Sequence, residues 1–581
     1  MTLKTRKKSI FSIPEHDKGV LIEPALCLST DLVETNRKRI AGYNFTLCGM
    51  EYNIVRDKVR SEILDKARLY TSNLLKGLNG SANVAHCLDN KDLDLRSVTL
   101  FQTGHAPVLY SPGVWIKNHI VDRLARAHNG IGVNIVMDND IPKDHFFLPP
   151  NIRSGNCKLE KSNVKGVPGK LPYEELSIPL TLNGDINDSL DSEFSKKVYS
   201  DVTERCAVFL DDAAKHVPLN TFMELITDCS MFRDNPGERL TYARRIFEKG
   251  FNLNNLEVPI SKVCETEGFY IFFLAIARES QRFCHIYNLR LERYRKENKI
   301  RSTANPLPNL RIEDSLAELP FWGWMSNGCR QRIYVARRGD DYLDLLTDPV
   351  DLIQASDAGN REDVGLITLC KLSLRDNTGN FEVLNNLLQN GFKIRPKAVT
   401  NTMFSRLFFS DLFVHGVGGA KYDIITDGII EDFFGIIPPG YIAASATLYP
   451  PFKRHDVKDE DLVRLQNEIK KIRNNPDKYI PNEMLDDGET KELIAEKMDL
   501  IKSAAAGDKS DPKRMFLRIK DINLLLNNKI KHLFEEKELE ISSVKDQLKH
   551  NEVVNKRDHP IFVYPEEYIK DFYNEALSVE G

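Results

Sequence analysis

The stretch "RSVTLFQTG", residues 96 to 104, is short, rich in β-forming residues and ends on glycine, which predicts a strand. After it, Ile116, Ile120, Leu124 and Ala127 recur at helical spacing. Ser111 stands where an N-cap belongs and Pro112 where a first helical residue has no N–H to lose. Asn129-Gly130 ends that helix, and "IGVNIVM" (131 to 137) is an uninterrupted apolar run of the kind a strand covered on both faces shows. Strand, helix and strand within about forty residues predict a right-handed βαβ unit of a parallel sheet.

A second α/β portion follows the same grammar. "AVTNTMFSRLFFSDLFVHGVGGAKYDIITDGIIEDFFG" puts glycines after an apolar run, then a helix, with a strand predicted at 441 to 448. "ELPFWGWMSNGCRQRIYVARRGDDYLDLL" (318 to 346) predicts strands around a turn at Asn327-Gly328. Upstream, "VRSEILDKARLYTSNLLKGLNG" reads as a helix stopped by Gly80. Residues 150 to 190 read as an irregular Gly/Pro/Asn-rich excursion, and 193 to 297 as predominantly helical. From 453 to about 553 the chain is Lys/Glu/Asp/Asn-rich with Leu and Ile three and four apart, which predicts an antiparallel helical hairpin or coiled coil bending at "AAAGDKSDPK". "HPIFVYPEEYIKDFYNEAL" is apolar enough to dock back on the body.

These readings divide the chain as follows. Residues 1–90 are a lead-in, 91–150 the first half of an α/β core, 151–310 a mainly helical insertion, and 311–452 the second half of the core. Residues 453–553 form a helical arm and 554–581 a docking tail. A chain of 581 residues suits two to four domains. With 41% hydrophobic and 28% charged residues it has enough apolar material for an ordinary core. The net charge of −4 gives no global pull toward nucleic acid or anionic membranes. "GIIPPGYIAASATLYPPF" (435 to 452) carries four prolines and makes a poor membrane helix. The basic N-terminus lacks the apolar core of a secretory signal. Ten cysteines without a CxxC argue against a zinc ribbon or disulfide scaffold and fit a reducing cytoplasm, with each cysteine a small buried hydrophobe. No metal is expected.

In an open parallel sheet, ligands bind beyond the carboxyl ends of the strands. Gln102, Thr103, Gly104 and His105 end the first predicted strand, and Asp138, Asn139 and Asp140 end the second. The glycine lets a ligand approach the backbone, and imidazole can donate to a phosphoryl oxygen. Lys117, one turn into the helix with Trp115, could reach an anion. His119 and His128 read as helix-surface residues. "HGVGGAKYD", His415 to Asp423, misses both phosphate motifs, because Lys421 stands where G-x-G-x-x-G requires glycine and no Gly-Lys-Ser/Thr follows. A glycine turn with a lysine still offers backbone N–H groups to an anion, and its counter-reading is a turn tightened by packing. Arg395 is either an anion clamp or a surface arginine. Phe321, Trp322 and Trp324 are either core or a pocket wall.

"QTGHAPVLYSPGVWIKNHIVDRLAR" followed by "IGVNIVMDND" resembles the bacillithiol-synthase (cysteine ligase) pattern. There, a strand ending in Gly-Gln-Gln leads through Gly-Pro-Leu-Tyr-x-x-x-Lys into a helix, then a strand with an acidic end. Gly104, His105, Ala106, Leu109, Gly113 and Lys117 fall on related positions, and Asp138 and Asp140 fall near the acidic end. A later family block is similar at Arg395, Pro396, Gly418, Gly419 and Tyr422. His105-Ala106 replaces the paired glutamines, and Ala420 or Lys421 replaces a glutamate, so the resemblance is to a divergent branch.

The resemblance implies a Rossmann-like parallel-sheet core with helical insertions and a dimer-forming C-terminal antiparallel coiled coil. It implies a carbon–nitrogen ligase joining L-cysteine to a glucosaminyl-malate-type acceptor, with ATP or another nucleotide. On that reading His105, Asp138 and Asp140 are catalytic. Gln102, Thr103, Gly104, Lys117, Asn139, Arg395, His415, Gly416, Gly418, Gly419, Lys421 and Tyr422 bind substrate or nucleotide. The competing reading is a non-catalytic nucleotide-binding protein that recruits a partner through its helical arm.

Overall fold

The computed structural model describes residues 11–75, 97–140, 235–326, 328–349, 365–451, 454–507 and 511–578. The expected stop at Gly80, the excursion at 150 to 190, the helical stretch at 193 to 234 and Asn327 lie outside them. Residues up to Pro450 together with those from Arg557 form one compact unit, and Pro451–Lys556 belong to a second.

The first unit is a mixed α/β body holding two large sheets. Strands β1 (Gly19–Glu23), β4 (Leu100–His105), β5 (Ile131–Val136), β6 (Leu256–Pro259), β12 (Leu412–Gly416) and β13 (Tyr441–Thr447) form the first, in the order β1-β13-β12-β4-β5-β6. All its neighbours run parallel except β1, which is antiparallel on the edge. Continuous apolar runs become buried strands here because both faces are covered; every residue of β5 is buried. β6 was not anticipated: "LEVP" is too short to separate from the helices around it. β2 (Thr46–Leu47) and β3 (Met50–Glu51) are a small hairpin.

Helices α1 (Ser29–Ala41), α2 (Tyr52–Leu75) and α3 (Pro112–Ala127) precede or link these strands. α3 begins at Pro112 as expected, but the Ser111 hydroxyl makes no capping hydrogen bond. Then come α4 (Pro236–Lys249), the short α5 (Ile260–Val263), α6 (Glu267–Arg278) and α7 (Ser280–Glu297). α6, "EGFYIFFLAIAR", is buried nearly all round, as an apolar helix must be. Each of its fully buried phenylalanines contributes about 1.5–3 kcal/mol.

The second sheet is antiparallel, in the order β10-β9-β8-β7-β11, from β7 (Leu316–Met325), β8 (Gln331–Arg338), β9 (Tyr342–Thr347), β10 (Ile367–Ser373) and β11 (Phe392–Pro396). α8 (Asn377–Gln389) joins β10 to β11. α9 (Ala398–Phe404) and a single π-helical turn (Ser405–Phe409) lead into β12, and α10 (Val417–Phe434) leads out of it.

β12 inserts beside β4, pairing Leu412 with Phe101 and Phe413 with Gln102. A buried ion cluster fixes this meeting. Asp411 pairs with Arg56 at 2.8 Å and Arg60 at 3.1 Å and accepts from the Leu100 backbone N–H at 2.8 Å. Burial pushes the Asp411 carboxyl up, but the two guanidiniums outweigh it and leave the group below its ordinary range. The C-terminal helix α16 (Glu566–Ser578) docks on this unit through Tyr573, whose hydroxyl donates to the Pro112 carbonyl at 2.8 Å.

The second unit is helical, with α11 (Asp459–Asn474), the short α12 (Asn482–Leu485), α13 (Gly488–Ala505), α14 (Pro512–Lys529) and α15 (Lys531–Val554). Four long helices stand where an antiparallel helical hairpin or coiled coil was expected. Ile472, Leu493, Ile522, Leu526 and Ile530 form their shared core.

Candidate active site

The chain leaves β4 through α3 toward β5 and leaves β12 through α10 toward β13, so adjacent strands send their helices in opposite lateral directions. That is a topological switch point, where the carboxyl ends open a crevice. A cavity of about 380 Å³ lies there, within the size range of small-molecule sites. Gly104, His105, Lys117, Asn139, Asp140, His415, Gly416, Gly418 and Gly419 all line it. Segments some three hundred residues apart therefore face one space.

Lys117 is 3% exposed, and its Nζ donates to the Gly104 carbonyl at 2.9 Å. No carboxylate among the described residues pairs with it. Burial, helped by the nearby Arg244 charge, brings its pKa down to about 7. Half-buried His105 sets its Nδ1 3.1 Å from the Ala106 carbonyl and its ring edge-on to Tyr110. Gly104 is small for a reason other than ligand approach: a Cβ there would stand 2.8 Å from the Ile135 carbonyl oxygen on β5.

On the other strand, the Nε2 of buried His415 lies 2.7 Å from Asp423 Oδ2. Asp423 also receives Arg406 Nη1 at 2.7 Å and the Thr402 hydroxyl at 2.8 Å. Burial alone would raise this carboxyl, but His415 and Arg406 pull it well below the ordinary carboxylate range. The His415 ring packs on Phe413 and edge-on to Tyr441. Its Nδ1 would be 2.8 Å from a Cβ at Gly419, so the glycine turn is tight because the imidazole occupies its surface.

The second sheet supplies the remaining wall. Phe321 and Trp324 are core, whereas Trp322 faces the cavity with the Arg330 guanidinium 5.0 Å and the Lys397 ammonium 4.5 Å from its ring centre. Lys397 is paired with Glu318 at 2.6 Å. Arg330 donates to the Asn139 carbonyl at 3.1 Å and reaches the exposed Asp140 carboxylate only at 4.0 Å. Burial pushes both cations below their ordinary pKa. With Arg330 and Arg557 against Asp140, and Lys397 balanced by Glu318, the lining is cationic on balance and suits an anion.

The other expected site residues lie elsewhere. Gln102 and Thr103 are buried in the sheet, donating to Ser405 Oγ and the Val414 carbonyl at 2.9 Å each. Asp138 accepts from Ser261, and with the buried Arg395 it lines a separate notch of about 170 Å³. Arg395 is thus neither a surface residue nor a clamp of the main cavity. Lys421 and the exposed Tyr422 are outside the lining. His119 is not on the surface: it is 8% exposed and stacks on Tyr573 at 4.0 Å. Among the six described cysteines, only Cys264 and Cys284 are buried and Cys27 is exposed.

Asp423, Arg330, Lys397 and Asn401 are the site groups that pattern reading left unassigned, and of the two alternatives for Trp322 the structure shows the pocket wall. Asp423 was within reach, since it ends the "HGVGGAKYD" run. Among the described residues no group of three or more His, Cys, Asp and Glu could hold a metal ion, and no helix is long and apolar enough to cross a membrane. No protein-family model and no curated protein matches the chain.

Proposed function

We propose that this chain is a carbon–nitrogen ligase that joins L-cysteine to a glucosaminyl-malate-type acceptor in the switch-point cavity, the acceptor's amine forming the amide with the cysteine carboxyl. Lys117 carries the reading: it is a buried lysine without a counter-carboxylate among the described residues, able to stand neutral near pH 7 beside a cationic wall. In the reaction ATP activates the carboxyl as an acyl phosphate, releasing ADP. The amine attacks the carbonyl carbon, the C–N bond forms, the C–O bond to phosphate breaks, and inorganic phosphate leaves. Neutral Lys117 takes the proton shed by the amine. His105, and His415 held by Asp423, would donate to the developing oxyanion. Arg330 and Lys397, braced on Trp322, would grip the acid.

The switch-point geometry supports a Rossmann-like description of the parallel sheet, and the paired long helices of the second unit support an antiparallel coiled coil that joins two copies. A thiol substrate suits a cytoplasmic setting.

Incubation with ATP, L-cysteine and glucosaminyl-malate, followed by mass spectrometry, tests the reading. The expected product weighs the sum of the two organic substrates less one water and disappears in Lys117→Met. No product from the native chain would refute it.

A further inference from the structure

Among the described residues, the cavity wall holds an acceptor that no donor reaches. Asn401, on α9, is 7% exposed and lines the cavity. Its Nδ2 is directed at Met137 Sδ at 3.5 Å. A thioether sulfur accepts weakly and never donates, so this contact suits the nitrogen end of the amide. Oδ1 is left with no hydrogen-bond partner, and buried polar atoms seldom stay unmet in native proteins. The other amide in the lining is committed, since Asn139 Nδ2 donates to the Pro396 carbonyl at 3.1 Å.

Met137 is the cover. Its methyl lies against Gly104, 2.7 Å from where a Cβ would stand, and its sulfur lies against Asn401. The Gly104 carbonyl in turn holds Lys117 Nζ. One flexible side chain therefore spans from the lysine's anchor to the unmet acceptor. Methionine yields easily to a ligand because it is unbranched and has three rotatable bonds.

We propose that Asn401 Oδ1 receives an N–H of the substrate's amine, which makes this corner the amine subsite of the cavity and Asn401 a specificity-determining residue. The assignment of that amine as the nucleophile rests on the ligase reading. The lining fits this use. Arg330, with the Asp140 carboxylate only at 4.0 Å, disfavours an ammonium, so the amine sits neutral. It then gives one N–H to Oδ1 and keeps its lone pair for the acyl carbon.

The test compares glucosaminyl-malate with its 2-deoxy analogue, which has the same sugar and malate but no amine, by calorimetry on the full chain at pH 8. The native chain is expected to bind glucosaminyl-malate about ten-fold more tightly, the scale of one buried hydrogen bond. Asn401→Leu should erase that preference. Asn401→Asp should restore it while lowering turnover, because a carboxylate holds the amine as ammonium. Asn401→Ser, with an unchanged melting temperature, guards against misfolding. A native chain that does not discriminate, or an Asn401→Leu chain that still does, overturns the proposal. Product formation is scored separately. Selectivity lost in Asn401→Leu with no native turnover removes the ligase and keeps the subsite; native turnover with selectivity intact in Asn401→Leu does the reverse.

Discussion

His415 on β12 and Asp423 two turns into α10 form a buried imidazole–carboxylate contact of 2.7 Å across the first turns of one helix. The same carboxylate anchors Arg406 from the π-helical turn. One acidic side chain thus orients a cavity histidine and ties the segment before β12 to the helix after it.

Asp423→Asn should therefore be costly. It leaves a buried guanidinium with only Asp427 as a charged partner and frees the imidazole. A loss of about 3 kcal/mol is expected, in line with broken buried ion pairs. The folded carboxyl sits below its unfolded value near 3.9. Its contribution is hence full above about pH 4 and fades as pH falls below that. Thermal melts of native and Asp423→Asn chains should converge toward acid.

Lys117 titrates in the opposite sense. Its pKa of about 7 lies below the ordinary lysine value near 10.4, so between these the unfolded chain binds a proton that the folded chain does not. The native chain should gain stability over Lys117→Met as pH rises from 7 to 10. Turnover should rise through about pH 7, fall at least about a hundred-fold in Lys117→Met, and not return in Lys117→Arg, which stays charged.

Two adjacent glycines should part company. A Cβ at Gly418 meets nothing within 4 Å, so Gly418→Ala should keep activity and add up to about 1 kcal/mol of helix stability. At Gly419 the same methyl presses on His415 Nδ1 from 2.8 Å. Gly419→Ala should cost about ten-fold or more in kcat by displacing the ring.

Arg330→Met should raise the KM for the acid several-fold with a smaller change in kcat, since this cation grips the ground state as much as the transition state. Steady-state kinetics would show it, and an unchanged KM would remove Arg330 from recognition.

The helical arm gives a test of assembly. Phe516 and Leu524 on α14 are 67% and 62% exposed. The full chain should sediment as a dimer, and Phe516→Glu with Leu524→Glu as a monomer.

The sequence exposed what local pattern controls. β4, α3 and β5 follow from periodicity and glycine punctuation, and so do β12, α10 and β13. The strand-end rule for parallel sheets pointed to Gly104 and His105 beside Asn139 and Asp140, and these four line the cavity together with Lys117, His415 and Gly418. What failed depends on long-range packing. β6 was hidden because four residues carry no period. Asp138 and Arg395 sit at strand ends, yet they turn into a neighbouring notch. Trp322 and Trp324 lie two apart on β7 and so share a face, and they differ in what covers it: the cavity opens beside Trp322, while Arg395 lies over Trp324 at 5.9 Å. The cationic wall needed a second sheet whose position over the first no local pattern encodes.

The lateral order of the parallel sheet also sets a timetable. Thr103 and its β12 partner Val414 are 311 positions apart. At roughly 5–20 residues per second, a ribosome would leave one flank of β4 without its neighbour for some tens of seconds. Through that interval the central strand presents a bare apolar ladder, an invitation to aggregation. Chaperone demand in the cell should accordingly be greatest for chains stalled between the two halves.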